Sequence, residues 1–203
     1  FNDYQPAVIH YLYVWLERFC AHFTGRIIVV SAFDQDKGLE KSIGRKEQYS
    51  LIRYGLETES FKNSTKAGGL KKNLGISDNA LAVGMIACFK PQKAPLDFVE
   101  LAARVRKNFP GTKFVLIGDG KLRRKIERRI KQLNLEAGVI LTGWRQDIHL
   151  IMPQLDIFVL TSLWEGLPIV ILEAMAARVP LVATDTGGIR EVVADGQGGY
   201  LVK

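Results

Sequence analysis

The stretch ALAVGMIACF at residues 80–89 is an almost continuous apolar run, and it decides the fold. A strand with one face in water alternates apolar and polar residues, so this run predicts a strand that is buried on both faces. The next stretch, 94–109, carries apolar residues such as Leu96, Val99 and Leu101 at the spacing of one helix face. A buried strand followed by such a helix is typical of a parallel sheet that helices cover.

The same alternation continues to the end of the chain. Helical stretches, among them the amphipathic 121–133, separate four further apolar runs: KFVLIG (113–118), GVILTG (138–143), DIFVLT (156–161) and VPLVAT (179–184). We therefore predict an α/β fold, a Rossmann-like parallel sheet flanked by helices. In such sheets ligands bind beyond the carboxyl ends of the strands, so chemistry is expected in the loops that follow them.

The first third of the chain predicts part of a second domain. We expect a helix over 6–22, a buried strand at 26–32 and another strand at 49–55, followed by a polar, aperiodic stretch. The predicted domains are a remnant of an N-terminal domain (1–60), a linker (61–77) and the α/β domain (78–203). The sequence begins at Phe1 without Met and stops at Lys203, directly after the apolar run GGYLV, so we expect a fragment that is truncated at both ends.

Composition excludes several classes of protein. Of the 203 residues, 47% are hydrophobic and 24% charged, which excludes disordered and collagen-like chains. Two cysteines exclude a disulfide scaffold and a Cys-rich zinc site. No run reaches the roughly 18 apolar residues of a transmembrane helix. The net charge of +7 favours phosphate-bearing or polyanionic partners without choosing among them.

The stretch TSLWEGLPIVILEAMA, 161–176, is the strongest candidate site. Gly166 and Pro168 are predicted to open a helix with Pro in its first turn, where backbone amides and the helix dipole attract an anion. Glu165 precedes this helix and Glu173 lies within it, which suits a ligand with a diphosphate and several hydroxyls. In isolation both glutamates could be solvated, but the apolar surroundings of Glu173 predict that it is partly buried.

The spacing of these two glutamates resembles the E-x7-E motif of retaining glycosyltransferases of family 4, which have the two-domain GT-B architecture. The resemblance extends through IGDG, LTGW, DIFVLTSLWEGLP and VPLVATDTGGIREVV, and upstream to VSA and LIRYGLETESF. It implies transfer of a hexose from a nucleotide-diphosphate-sugar to a hydroxyl of a glycan or lipid-linked acceptor, with retention of the anomeric configuration. It further implies a cytoplasmic enzyme of polysaccharide or glycolipid biosynthesis.

The resemblance assigns roles to individual residues. Glu173 would bind the ribose hydroxyls. Glu165, with the backbone of Gly166 and Leu167 ahead of Pro168, would hold the sugar, since carboxylates accept hydrogen bonds from hydroxyls. The family has no obligatory metal and needs no cofactor, so none is expected here.

The basic part of the site departs from the family pattern. The family carries G-R-x4-K-G after the first strand of its donor domain, where this chain has ACFKPQKAP. Lys93 matches the family Lys, whereas Cys88 replaces the Arg and Ala94 the Gly. Lys93 is expected to stabilise the departing diphosphate, which gains negative charge as the glycosidic bond breaks. Whether Lys90 supplies a second charge is open.

Two more loops are candidates. GWRQD (143–147) resembles the loop that borders the nucleobase, which involves Trp144 and Arg145; alternatively, Trp144 only covers the sheet. IGDGKLRR (117–124) contains Gly118 and Gly120, but Arg123 replaces the third glycine of a dinucleotide fingerprint. These two glycines are therefore expected to shape the wall of a donor cleft.

The stretch 121–131 has seven basic residues and one acid. It is either a solvated helix face or a peripheral contact with an anionic membrane, which would be the inner face of the cell membrane. Nucleic acid is not expected, because no aromatic residues interleave with the charges. Two other functions remain open for the whole chain: a GT-B-like sugar-nucleotide epimerase, and a non-catalytic nucleotide-sugar-binding module.

Overall fold

The computed structural model describes residues 4–62 and 69–203 and contains a six-stranded parallel sheet covered by helices. Its strands are β3 (Ala82–Ile86), β4 (Lys113–Ile117), β5 (Val139–Gly143), β6 (Ile157–Leu160), β7 (Leu181–Thr184) and β8 (Gly199–Val202). The covering helices are α5 (Pro95–Asn108), α6 (Arg123–Gln132), α7 (Ile148–Ile151) and α8 (Ile169–Ala176). The predicted α/β fold is confirmed.

The strand order is β5-β4-β3-β6-β7-β8, and every neighbouring pair is parallel. The chain builds the sheet outward from β3 in one direction and then from β6 in the other. At this reversal the loops that follow β3 and β6 diverge and leave a crevice at the carboxyl edge of the sheet. The fold therefore places the loop 87–94 and the loop 161–168 on either side of one cleft.

The apolar runs in the sequence form the core, as their pattern predicts. β3 and β4 are buried along almost their whole length. Phe98 of α5 and Phe114 of β4 are fully buried and meet edge to face, with ring centroids 5.5 Å apart. Such aromatic pairs add to the stability that burial of apolar area provides, so the sheet is a rigid base for the cleft.

The N-terminal region is a smaller layer. It contains α1 (Ala7–Ala21), β1 (Ile27–Val29), α2 (Ala32–Glu40) and β2 (Tyr49–Leu51), with β1 and β2 paired in parallel. The prediction of a buried strand over 26–32 was wrong, since β1 has three residues and Ile28 is 65% exposed. The strand predicted at 49–55 is also shorter. A two-stranded sheet buries less of each strand, and the sequence run alone does not reveal this.

The predicted linker, 61–77, contains structure in its described part. α3 (Thr58–Lys62) and α4 (Leu70–Asn73) lie at its two ends, and residues 63–68 lie outside the described residues. Phe61 is 6% exposed and packs into the core of the large sheet. The domain boundaries stay a prediction, but the N-terminal side of this stretch is attached to the large domain.

Helix α1 leaves several large apolar side chains in solvent, including Tyr11, Trp15 and Phe19. Even so, across residues 4–62 and 69–203 no helix combines the length and apolar character needed to cross a membrane.

Candidate functional site

The loops after β3 and β6 are tied to each other across the crevice. The Thr161 hydroxyl lies 3.1 Å from the carbonyl oxygen of Lys93 and 2.9 Å from that of Ala94. The Leu163 N–H donates to the Gln92 carbonyl at 2.8 Å, and the Gln92 amide donates to the Trp164 carbonyl at 2.9 Å. These hydrogen bonds hold the two loops in one arrangement.

Lys93 and Glu165 form an ion pair across this crevice. The Lys93 ammonium donates to Glu165 Oε1 at 2.5 Å, and the two side chains are only 16% and 6% exposed. A pair so far removed from water is held by short-range attraction that salt screens weakly. Both residues were assigned to the donor from the sequence, and their pairing with each other was not predicted.

Ala94, which stands where the family has Gly, adopts the left-handed conformation with φ 44° and ψ 50°. It ends the short turn Pro91–Lys93 and immediately precedes α5, with Pro95 at the first helical position. A non-glycine residue in this region costs about 1 kcal/mol or more. A glycine, which the family has at this position, adopts the left-handed conformation without strain. The alanine of this chain adopts it at a cost in folding free energy.

Glu173 lies in α8 on the same side of the crevice as Glu165 and is half-buried, as its apolar surroundings predict. Burial raises the pKa of its carboxyl group. Within the described residues it has neither a hydrogen-bond nor an ion-pair partner. One local prediction was wrong: Pro168 lies outside the first turn, because α8 begins at Ile169 and Pro168 is its extended N-cap.

A cleft of about 320 Å³ connects these elements. The predicted residues on its wall are Lys93, Gly118, Trp144, Arg145 and Glu173, and Cys88 lines it too. Apolar side chains complete the wall, namely Ile86, Ala87, Ile117, Ile148, Ile169 and Val170. An apolar wall with a few convergent charges is typical of a small-molecule site.

Gly118 and Gly120 let two loops approach each other beside this cleft. A Cβ at Gly118 would lie 2.0 Å from the Ala87 carbonyl oxygen, and one at Gly120 would lie 2.8 Å from that of Phe89. Both glycines also have positive φ, 131° and 153°. Any side chain here would push the loop 87–94 away from the sheet, so these glycines act on the cleft through backbone packing.

Trp144 is 66% exposed at the rim of the cleft. Its neighbour Arg145 forms a two-point ion pair with Asp147, with nitrogen–oxygen distances of 2.8 and 2.5 Å. The hydrogen bond to Arg145 holds the pKa of Asp147 below its usual range. Asp147 was not identified from the sequence. It fixes the Arg145 guanidinium at the rim, and a carboxylate two residues after an arginine is the signal that could have indicated it.

The remaining predicted residues lie around the cleft. Leu167 and Pro168 are buried beneath α8, and Lys90 is half-exposed at the start of the turn before Lys93. Gly166 faces the N-terminal region, where a Cβ on it would lie 2.8 Å from Asp34 Oδ2. The predicted donor-binding residues are thus divided between the cleft wall and the interface with α2.

No group of three or more histidine, cysteine or acidic residues is placed to hold a metal ion within the part of the chain that the structure describes. That the site needs no metal stays a prediction.

Comparison with known proteins identifies the family. Residues 68–203 match the family described as glycosyl transferases group 1. An Escherichia coli relative, UDP-Gal:alpha-D-GlcNAc-diphosphoundecaprenol alpha-1,3-galactosyltransferase, is 34% identical over 100% of this chain and 54% of its own length. The putative glycosyltransferase EpsD of Bacillus subtilis is 29% identical over 95% of this chain and 51% of its own. The chain spans about half the length of these curated relatives.

Solved structures agree. Anabaena HepE in complex with UDP and glucose superimposes with a TM-score of 0.81 at 27% identity, over 88% of this chain and 49% of that one. The same protein in complex with UDP-glucose gives a TM-score of 0.80, also at 27% identity, over 88% and 50% of the two chains. With the family model matching residues 68–203 and a parallel sheet like that of a GT-B half-domain, the chain belongs to the glycosyl transferases group 1 family.

Proposed function

We propose that this chain is the donor-binding part of a retaining glycosyltransferase that moves a hexose from a nucleoside-diphosphate-sugar to an acceptor hydroxyl. The observation that carries the proposal is the cleft itself. Lys93 and Glu173 project from opposite sides of the strand-order reversal into one cavity, with Trp144 and Arg145 at its rim. The Lys93 cation matches the diphosphate of a nucleotide, and the Glu173 carboxylate can accept hydrogen bonds from its ribose hydroxyls. The flat ring of Trp144 matches the base.

On the nucleotide side, Glu173 accepts hydrogen bonds from the ribose hydroxyls. Its carboxylate is half-buried and has no protein donor among the described residues, so two ribose hydroxyls would supply the partners it lacks. Trp144 and Arg145 border the base, and the Arg145–Asp147 pair keeps the guanidinium in place.

On the sugar side, Lys93 and Glu165 act together. As the bond between the sugar and the diphosphate breaks, negative charge develops on the leaving phosphate, and the Lys93 ammonium stabilises it. Glu165 accepts hydrogen bonds from the sugar hydroxyls and holds the sugar against the Gly166–Leu167 backbone. Departure and attack on the same face of the sugar would retain the anomeric configuration.

The donor is proposed to be a UDP-hexose. HepE, the structural neighbour, was solved with UDP and with UDP-glucose, and the E. coli relative is named for UDP-Gal. That name also specifies a diphosphoundecaprenol acceptor, so a lipid-linked or glycan acceptor is proposed for the protein that contains this chain.

Binding of UDP by the chain tests this proposal directly. A ligand at about 100 times its dissociation constant stabilises the folded state by about 2.7 kcal/mol, which a thermal-shift screen of nucleoside diphosphates detects. We expect UDP to raise the melting temperature. If no nucleoside diphosphate stabilises a sample shown to be folded, the donor-binding role is wrong. Stabilisation by NAD alone would indicate a dinucleotide-binding protein.

Transfer of a labelled sugar by the protein that contains this chain separates the proposed enzyme from the two alternatives. An epimerase would change the donor without transferring its sugar, and a binding module would leave the donor intact. Retention is read from the anomeric configuration of the product.

A second, independent feature favours contact with an anionic membrane. On α6 and the residue positions next to it, five basic side chains are exposed and have no ion-pair partner among the described residues: Lys121, Arg124, Lys125, Arg128 and Lys131. Their spacing places them on one face, while Ile126 and Ile130 are buried on the other. Each such charge contributes about 1 kcal/mol near an anionic surface, so a peripheral location at the inner membrane face is proposed.

Liposomes with and without anionic lipid test this contact. The Arg124→Glu/Arg128→Glu variant should lose binding to anionic vesicles, and binding should weaken with salt. A control with the same charge change on other exposed lysines, Lys46→Glu/Lys72→Glu, should bind like the parent chain. Equal binding by the α6 variant and the parent would leave α6 as a solvated face.

A further inference from the structure

Glu191 joins the donor-binding sheet to the N-terminal region. Its Oε1 accepts from the Phe33 N–H at 2.9 Å, and its Oε2 accepts from Arg53 Nη2 at 2.8 Å. The carboxylate is 18% exposed. Both donors belong to the N-terminal region, so this one side chain connects parts of the chain that are 158 and 138 residues apart.

The contact is also a helix cap. Phe33 lies in the first turn of α2, where backbone N–H groups have no partner within the helix. Burial alone would raise the pKa of Glu191, but hydrogen bonds from Phe33, Ala32 and Arg53 outweigh it and hold that pKa below its usual range. The carboxylate is therefore ionised at neutral pH and interacts favourably with the positive end of α2.

The beginning of α2 in turn packs against the loop that carries Glu165. Ser31 is fully buried, and its hydroxyl donates to Asp34 Oδ2 at 2.7 Å. A Cβ on Gly166 would lie 2.8 Å from that same oxygen, and a Cβ on Gly188 would lie 2.5 Å from Ser31 Cβ. The side chains of Ser31 and Asp34 therefore pack directly against the backbone of residues 166 and 188.

The turn that ends in Glu191 closes this contact from the other side. The Gly188 N–H donates to the Gly166 carbonyl at 2.6 Å, and a Cβ on Gly187 would lie 1.9 Å from the Glu165 carbonyl oxygen. The Glu165–Gly166 backbone is thus held between the start of α2 and the turn Gly187–Glu191, and Glu191 connects those two elements.

We infer that Glu191 is a positioning residue for the sugar end of the donor. By holding the N-terminal turn of α2 on the Gly187–Glu191 turn, it fixes the backbone of Glu165, whose carboxylate pairs with the cleft residue Lys93. The inference rests on the proposed donor-binding function. It predicts that losing the Glu191 contact affects the sugar and spares the nucleotide, because Glu173 and Trp144 lie on other elements.

Calorimetric titration of the chain with UDP and with UDP-glucose or UDP-galactose tests the inference. Glu191→Ala should lower the affinity for the sugar nucleotide about tenfold, which is the loss expected when a charged hydrogen-bond network that holds a group in place is removed. It should change the affinity for UDP less than about twofold. Glu191→Gln should have a smaller effect, because its amide oxygen still accepts from Phe33. Arg53→Met should resemble Glu191→Gln.

The matched control is Glu100→Ala, which removes another ion pair between two elements, the one at 2.5 Å with Arg129 that joins helices α5 and α6. It should leave both affinities unchanged. Gly188→Ala is the second test. It keeps Glu191, but its Cβ would push the turn away from both Ser31 and the Gly166 carbonyl, so it should reproduce the sugar-selective loss. Circular dichroism verifies that each variant is folded.

The outcomes are distinct. If the parent chain binds neither UDP nor a UDP-sugar, the proposed function fails. In the second case the parent binds both ligands, and Glu191→Ala and Gly188→Ala either lower the two affinities equally or leave both unchanged. The positioning role of Glu191 is then wrong, while the donor site stands.

Discussion

The regions around Glu165 and Glu173 differ in how each buried carboxylate is compensated. Glu165 is 6% exposed and paired with Lys93 at 2.5 Å. Glu173 is half-buried, has no partner among the described residues, and burial raises the pKa of its carboxyl group. The two acids are eight positions apart in the sequence. Glu173 lines the cleft, and Glu165 pairs with Lys93, which lines it too. One carboxylate therefore has a counter-charge and the other does not.

The difference indicates how the two halves of the site are prepared. At Glu165 the protein supplies the counter-charge, and the ion pair connects the loops after β3 and β6. At Glu173 the protein leaves an acceptor without donors, a state that is unfavourable until a ligand provides them. An uncompensated carboxylate within an otherwise apolar helix is therefore a stronger sign of a ligand contact than a paired one.

Of the substitutions that test this difference between Glu165 and Glu173, Lys93→Met should change stability and UDP affinity the most. It leaves Glu165 buried without a counter-charge, which typically costs about 3 kcal/mol of stability. Loss of a charged donor to the diphosphate should also weaken UDP by about tenfold or more. Denaturant unfolding and calorimetry measure the two effects.

The double variant Lys93→Met/Glu165→Gln is the control for that experiment. With both charges removed, most of the stability should return while UDP binding stays weak. A single variant as stable as the parent would mean that the ion pair does not form in solution.

A smaller effect is expected from Glu173→Gln. Because burial raises the pKa of Glu173, the folded chain binds its proton more tightly than the unfolded chain. The parent therefore loses stability as pH rises from the ordinary glutamate pKa through the raised one. The neutral amide avoids this loss, so the variant should match the parent near pH 4 and be the more stable protein at pH 7. Thermal unfolding across this range measures the difference, and a variant that is less stable at pH 7 would contradict the burial argument.

Ala94→Gly should have the smallest effect. It relieves the left-handed strain beside Lys93 but adds entropy to the unfolded chain, so a net stabilisation of about 0.5 kcal/mol is expected. The matched control is Ala103→Gly in the middle of α5, which should instead destabilise by about 0.5–1 kcal/mol. Urea unfolding compares the two. If both substitutions destabilise equally, the strain at Ala94 is absent.

Much of the large sheet could be predicted from the sequence, because strands buried on both faces leave continuous apolar runs that few other structures produce. The order of the runs also placed Lys93 and Trp144 in loops that follow strands and Glu173 in the helix after β6, and these residues meet in the cleft. The length and burial of the N-terminal strands β1 and β2 were predicted wrongly, because an apolar run does not show how many other elements cover it. Contacts between residues far apart in the sequence could not be predicted. No local sequence pattern links Glu191 with Phe33, or Lys93 with Glu165.

The central claim is that Glu173 contacts the nucleotide and Glu165 the sugar. Calorimetric titration of UDP and a UDP-hexose against the parent, Glu165→Gln and Glu173→Gln tests it most directly. Glu173→Gln should weaken both ligands by a similar factor of about tenfold, because both contain the ribose. Glu165→Gln should leave UDP at least as tightly bound, since Lys93 is released from its partner, and should reduce the extra affinity that the sugar provides. Equal losses for both ligands in Glu165→Gln, or a Glu173→Gln effect confined to the UDP-hexose, would contradict the account.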